Sequence, residues 1–278
     1  MTFKIDLHSH STVSDGVLTP SELMERAHAN GVQVIALTDH DEISGLAEAE
    51  SKASELGLKF VNGIEISVTW LGRTVHIVGL GIDPTNKILN KGIQTIRSGR
   101  AERAKLMGMK LEELGFSGAY EGARKLATNP SLISRTHFAR FLVQNGYCPN
   151  MQVVFDKYLG DHKQADVPVE WAKLEEAVYW ITSAGGQAVI AHPGRYKYKP
   201  SEFRSLYKAF VESGGEAIEV ITGSHRPDQY AKYADVARKY GFLASVGSDF
   251  HEVAPGRLDL GELPPLPDDL TPVWHNWF

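Results

Sequence analysis

Seven short apolar runs rich in Val and Ile recur along the chain with helical stretches between them: Phe3 to Leu7, Gln33 to Leu37, Lys59 to Ile64, Thr74 to Leu80, Ala188 to Ala191, Ala217 to Ile221 and Leu243 to Val246. Most are near-continuous runs rather than strict alternations, the pattern of strands covered on both faces. The intervening helices supply that cover. Thr19-Pro20-Ser21-Glu22 reads as a capped helix start, with Leu23, Met24 and Ala27 at helical spacing and Asn30-Gly31 as the stop. Alternating strand and helix predict a parallel α/β architecture, and seven such units predict a closed or nearly closed barrel rather than an open sheet.

The alternation fails between about Arg97 and Asp166. There Arg100 to Leu114, Tyr120 to Leu126, Thr136 to Asn145 and Met151 to Tyr158 read as helical, and no strand is evident. The expected organisation is therefore a barrel over 1–96 and 167–278, interrupted by a helical insertion over 97–166. The tail, with Pro264, Pro265, Pro267 and Pro272, reads as an extended strap anchored by Trp274 and Trp277.

With 278 residues the chain can bury a full core without disulfides. Cys148 is the only cysteine, which excludes an internal disulfide and a thiolate-rich zinc site. Any metal must rely on His and carboxylate. A formal net charge of -5 argues against a broad basic surface for long duplex nucleic acid, and leaves room for a small or short anionic substrate held locally. No stretch approaches the roughly 18 to 20 apolar residues of a membrane span, and the start lacks the pattern of a secretory signal, so a cytoplasmic location is expected.

The chemistry is carried by the ends of the strands. Seven of the eleven histidines sit at or just past them: His8, His10, His40, His76, His192, His225 and His251. Asp6, Asp15, Asp39, Asp41, Glu65 and Asp249 share those positions. In a parallel α/β barrel the carboxyl ends of the strands converge on one mouth, so residues from 8 to 251 can meet there. An isolated His-x-His means little, because alternate residues of any strand face the same way. Here, however, Thr38-Asp39-His40, Gly63-Ile64-Glu65, Ala191-His192-Pro193 and Ser248-Asp249-Phe250-His251 end other strands. Neutral imidazole and carboxylate suit Zn, Mn or Fe, and nine ligands exceed the roughly four positions of one structural zinc site. Two or three divalent ions are expected, Mn²⁺ first among them, with Zn²⁺, Fe²⁺ and Mg²⁺ as alternatives. Adjacent cations of this kind stabilise the attacking and leaving oxygens of phosphoryl transfer. His28, His162 and His275 read as ordinary surface or packing residues.

At these residues the chain resembles the PHP (polymerase and histidinol phosphatase) family. The resemblance rests on Asp6-Leu7-His8-Ser9-His10, Ser14-Asp15-Gly16, Leu37-Thr38-Asp39-His40-Asp41, Gly63-Ile64-Glu65, Ala191-His192-Pro193 and Gly247-Ser248-Asp249-Phe250-His251. It implies a distorted (β/α)7 barrel. It also implies three metal positions: His8, His10 and Asp249 around one, Glu65 bridging it to a second held with His76 and His192, and Asp15, His40 and His251 around a third. Asp15 departs from members that carry His there. Within the family the chain is most similar to stand-alone enzymes with a helical insertion that hydrolyse 3',5'-nucleotide bisphosphates or remove nucleotides from the 5' end of short RNA. Ser134-Arg135-Thr136-His137 carries that similarity.

Glu65, His192, Asp249 and His251 are then the expected catalytic residues, and Ser134, Arg135, His137, Arg195 and His225 the expected substrate contacts. Arg135 suits a bidentate grip on phosphate. The rival readings are a histidinol-phosphate-type phosphatase, an amidohydrolase-like C–N hydrolase and a non-enzymatic module. The amidohydrolase reading wants a metal-bridging lysine that no candidate strand end offers, and the non-enzymatic one predicts lost ligands, of which none is lost.

Overall fold

The computed structural model describes residues 4–160, 162–254 and 256–277. Phe3, at the start of the first expected strand, lies outside them. All seven runs form strands of one sheet ordered β1 to β7: β1 (Ile5–Asp6), β2 (Val34–Leu37), β3 (Lys59–Trp70), β4 (Arg73–Leu80), β5 (Gln187–Ile190), β6 (Ala217–Thr222) and β7 (Leu243–Gly247). The two edges meet at the end of β7 and just beyond the ends of both strands. Leu7 N–H donates to Val246 O at 3.0 Å, Asp249 N–H to His8 O at 2.9 Å and His10 N–H to Phe250 O at 2.9 Å, which makes a nearly closed barrel.

The sheet is the expected parallel α/β barrel except at one strand. β4 runs antiparallel to both β3 and β5, while the remaining pairs are parallel. The cause is local. Leu71 and Gly72, at φ 48° and 72°, form a two-residue turn with both φ positive, the geometry that joins hairpin strands. No crossover helix fits there. The reversal matters for the site, because it brings the first half of β4, and with it His76, to the mouth where the other strands end. Ser67 opposes His76, so Glu65, two residues back on the same face, lies diagonally across from it.

Helices α1 (Pro20–Ala29) and α2 (Leu46–Leu56) cover β1 to β3, while α7 (Leu174–Ser183), α8 (Pro200–Glu212) and α9 (Pro227–Tyr240) cover the rest. The 27-residue α3 (Lys87–Glu113) leads out of the barrel to α4 (Ala119–Leu126), α5 (Arg135–Gln144) and α6 (Met151–Val154). Leu89, Ile93 and Ile96 pack in the barrel core, while Ala104, Met107 and Leu111 belong to a second core with Phe138, Leu142, Val154 and Leu159. The boundary read near 97 thus falls inside one continuous helix, begun at Asn86, whose side chain accepts from Ile88 N–H and Leu89 N–H. One turn of π-helix over Phe155–Leu159 follows α6. At the far end the strap pairs with β7 through Ala244 N–H to Thr271 O and Val273 N–H to Ala244 O, both 2.9 Å, and Trp277 Nε1 donates to Gln187 Oε1. No helix among the described residues is long and apolar enough to cross a membrane.

Candidate metal centre

Strand alternation points His8 and His10 to the same side beyond β1, while Ser9 between them turns away and donates its hydroxyl to Ala36 O. The fit there is close: a Cβ on Gly247 would lie 2.2 Å from His8 Cβ, so only glycine lets β7 pass. Buried Asp39 shapes the next loop by accepting from Ser11 N–H, Ser11 Oγ and Ser14 Oγ, and thereby sets Asp15 in place. Burial lifts the Asp39 carboxyl to about 6, against the pull of those donors. His40 ends β2, and the following Asp41, at φ 49°, accepts from Ser67 N–H at 2.7 Å and from Arg100 Nε at 2.8 Å. His192 (φ 27°) and Asp249 (φ 55°) also sit at positive φ, as sites that over-determine their backbone do.

All nine side chains read as ligands converge. Ligand atoms within 4.8 Å of one another group as His8, His10 and Asp249; His8, Glu65 and His192; His40, Glu65 and His76; and His10, Asp15, His40 and His251. Glu65 is at the middle and fully buried. Its Oε1 faces His192 Nε2 at 2.8 Å, His76 Nδ1 at 2.9 Å and His8 Nε2 at 3.4 Å, while its Oε2 faces His40 Nδ1 at 2.8 Å and His10 Nε2 at 3.4 Å. The grouping differs from the expected one in several places: His8 also joins Glu65 and His192, His10 also joins Asp15, His40 and His251, and His76 and His192 fall in separate groups. His40 turns Nδ1 to Glu65 and keeps Nε2 at 3.8 Å from Asp15 Oδ1, so it lies between two groups rather than in one.

Burial opposes the charge of Glu65, Asp15 and Asp249, yet their histidine neighbours, and Arg195 in the case of Asp249, hold all three carboxyls well below the usual range. Burial, with His251 and His40 adding, holds His10 down to about 3, and burial with Arg195 does the same for His192. Both are neutral imidazoles near pH 7, the form that ligates metal. Their packing fits ions rather than mutual hydrogen bonding. Asp15 Oδ1, His40 Nδ1, Glu65 Oε2, His76 Nδ1 and Asp249 Oδ1 are buried and lack a hydrogen-bond partner although other ligand atoms stand nearby. Buried polar atoms left so are costly unless something outside the side chains satisfies them. Imidazole and carboxylate lone pairs of this kind fit divalent ions.

A cavity of about 400 Å³ opens beside this cluster, reaching His76 and His192. Arg73, Arg135, Lys163, Arg195 and Lys197 rim it against one carboxylate, Asp156, and Phe155, Tyr196 and Tyr198 add aromatic surface. A smaller space over Asp15, His40 and His251 shares Arg135 and Arg195 with it. Arg195 Nη1 donates to Asp249 Oδ2 at 3.0 Å. Ser134 caps α5 and donates to Asp15 Oδ2 at 3.0 Å.

Two expected substrate contacts lie elsewhere. His137 is buried, accepts Ser134 N–H at its Nδ1 and does not line the cavity. His225 is stacked on Tyr233 and accepts Gly194 N–H at 2.9 Å, so it supports the turn carrying Arg195 instead of facing the cavity. Conversely His162, read as ordinary, lines the cavity beside Lys163. The sequence reading missed Arg73, the first residue of β4, and Lys163 and Lys197, which lie in loops. It also missed Glu219, which stood out only as one acid inside the run Ala-Ile-Glu-Val-Ile.

Comparison with known proteins agrees with this architecture. The family profile described as PHP domain matches residues 6–223. A 3',5'-nucleoside bisphosphate phosphatase of Chromobacterium violaceum is 50% identical, covering 98% of this chain and 95% of its own. A 5'-3' exoribonuclease of Haemophilus influenzae is 44% identical over the whole of both chains. Among solved structures, an amidohydrolase from Chromobacterium violaceum with bound sulfate and no metal superposes with TM-score 0.94 at 50% identity, over 98% and 94% of the two chains. A protein described as a metal-dependent phosphoesterase from Bifidobacterium adolescentis superposes with TM-score 0.82 at 26% identity, over 97% and 92%.

Proposed function

The chain belongs to the PHP domain family, and from that premise we propose that it removes the 3'-phosphate of nucleoside 3',5'-bisphosphates and releases nucleotides from the 5' end of short RNA. It is a metal-dependent phosphoester hydrolase. The observation that carries the substrate assignment is the five-cation rim of a nucleotide-sized cavity whose floor includes His76 and His192.

Two or three divalent ions, Mn²⁺ foremost, would be held by His8, His10, Asp249, Glu65, His76, His192, Asp15, His40 and His251. When bound they supply positive charge to the attacking and leaving oxygens of an in-line displacement. Glu65 would be the residue that joins the ion positions, because each of its oxygens faces a different set of imidazoles. Arg135 from the insertion and Arg195 from the barrel line both this cavity and the smaller space beside it, where they can grip phosphoryl oxygens. Lys163 and Lys197 lie on the same rim, which suits a substrate with a second phosphate. Phe155 and Tyr198 offer faces to a sugar or base.

The amidohydrolase description of one neighbour is met by the same fold. Among the described strands the only lysine is Lys59, at the start of β3 and away from the mouth, so none of these strands places a lysine to bridge metals. Sulfate, which that neighbour holds, has the shape and charge of a phosphate ester.

The test is phosphate and nucleotide release from 3'-phosphoadenosine 5'-phosphate and from a 5'-phosphorylated RNA oligomer, with Mn²⁺ or with EDTA. Mn²⁺-dependent turnover of both is expected. Turnover of neither by protein shown to hold metal would refute the substrate assignment.

A further inference from the structure

Glu219 sits in the middle of β6 and is 1% exposed. A carboxylate on a buried strand is costly unless donors hold it. It has two, and both belong to ligand residues from different strands. His8 Nδ1 donates to Oε1 at 2.6 Å, and His192 N–H donates to Oε2 at 2.5 Å. A backbone N–H can only donate, so Oε2 is committed to His192. A carboxylate oxygen can only accept, so His8 must carry its proton on Nδ1. In the neutral ring that ligates metal the lone pair then lies on Nε2, which faces His10 Nε2 at 3.1 Å, Glu65 Oε1 at 3.4 Å and Asp249 Oδ1 at 3.7 Å. The bond to His192 falls where the backbone stands at φ 27°, ψ 57°, a conformation that a side-chain-bearing residue holds only when fixed from outside.

We propose that Glu219 is a positioning residue for the metal centre: one carboxylate sets the tautomer of His8 and pins the strained backbone at His192, so that both imidazoles are ready to ligate before metal arrives. The inference rests on the metal-centre reading above. It follows the general rule that a metal-binding histidine donates its other ring nitrogen to an acceptor that fixes its tautomer.

Glu219→Gln separates this role from simple packing. The amide has the volume of the acid, and its oxygen is required by His192 N–H. Its NH2 then faces His8 Nδ1, which must accept, and the proton moves to Nε2, where it removes the lone pair the centre needs. The experiment measures Mn²⁺ binding by calorimetry, and the ¹⁵N chemical shifts of the His8 ring in metal-free protein, for wild type and variant. Wild type is expected to show Nδ1–H at His8; the folded variant is expected to show Nε2–H and to bind Mn²⁺ about 10- to 100-fold more weakly. Equal affinity with His8 unchanged in the variant overturns the proposal. Should the variant not fold, the wild-type spectrum decides alone, since Nε2–H there would overturn it. Wild-type protein that binds no Mn²⁺ at all would instead refute the metal-centre reading on which the proposal stands.

Discussion

The Ser134 hydroxyl donates to Asp15 Oδ2 at 3.0 Å, and Arg140, further along the same helix, donates to the Asp15 carbonyl at 2.8 Å. The helical insertion therefore holds the one carboxylate of the outer ligand group. Ser134→Ala removes this bond together with the cap of α5. The expected loss is about 1 to 2 kcal/mol of stability, with weaker binding of the last Mn²⁺ equivalent in a calorimetric titration, while Ser134→Thr restores both.

Arg135→Ala is expected to keep wild-type metal content and to lower kcat/KM by roughly 10- to 100-fold, as loss of a charge-assisted phosphate contact does. Most of the effect should fall on KM. Lys at 135 should recover little, because an ammonium cannot reproduce the planar fork of guanidinium. Steady-state kinetics with a nucleoside bisphosphate checks both.

Arg100 reaches from α3 to Asp41 beneath His40 and also donates to Ser67 Oγ at 2.8 Å, with its guanidinium over Trp171. Both partners are buried. Arg100→Met leaves the Asp41 carboxylate unpaired, at a cost of about 3 to 5 kcal/mol. Urea unfolding measures it, and activity should fall too, since Asp41 adjoins a ligand and shapes its loop.

Metal-free protein is expected to be most stable near pH 6.5. His10 and His192, held down to about 3 by burial first and by cationic neighbours second, stay neutral in the fold while the unfolded chain takes up protons below about 6.5. Stability therefore falls as pH drops from about 6.5 toward 3. Asp39, lifted to about 6, pulls the other way between about 4 and 6, as do Asp6 and Glu219, both raised by burial, while His137 and His225, held down to about 4 by burial, side with His10 and His192. On the alkaline side His40, held up to about 9 against burial by Glu65 and Asp15, contributes stability that is complete below about 6.5 and lost as pH rises through 9. Urea midpoints at pH 4.5, 6.5 and 9.5 with EDTA check the sign on each side.

The convergence of the nine side chains was legible because most of them end apolar runs, and barrel topology converts strand ends into one mouth. His76 fits that reading for another reason than the one given by its run: it stands within the strand and reaches the mouth because Leu71-Gly72 reverses β4, a turn that one glycine in Trp-Leu-Gly-Arg announces only faintly. His225 shows the limit of the strand-end rule. It follows β6 as the others follow theirs, yet its ring turns to Tyr233 and Gly194 because the residues after it begin α9 at once. Arg135 and Arg195 of the rim were legible from their motifs, but Arg73, Lys163 and Lys197 were not, as they come from a hairpin tip and two loops whose sequences look like any solvated surface.

Glu65, as proposed above, joins the ligand groups into one metal-dependent phosphoesterase centre. EDTA-stripped protein should regain phosphate release from a nucleoside 3',5'-bisphosphate as Mn²⁺ is added to two or three equivalents. Glu65→Gln should hold fewer equivalents and show no turnover at any Mn²⁺ concentration. Near-normal turnover by Glu65→Gln, or full activity of the wild type with EDTA and no bound metal, would contradict the account.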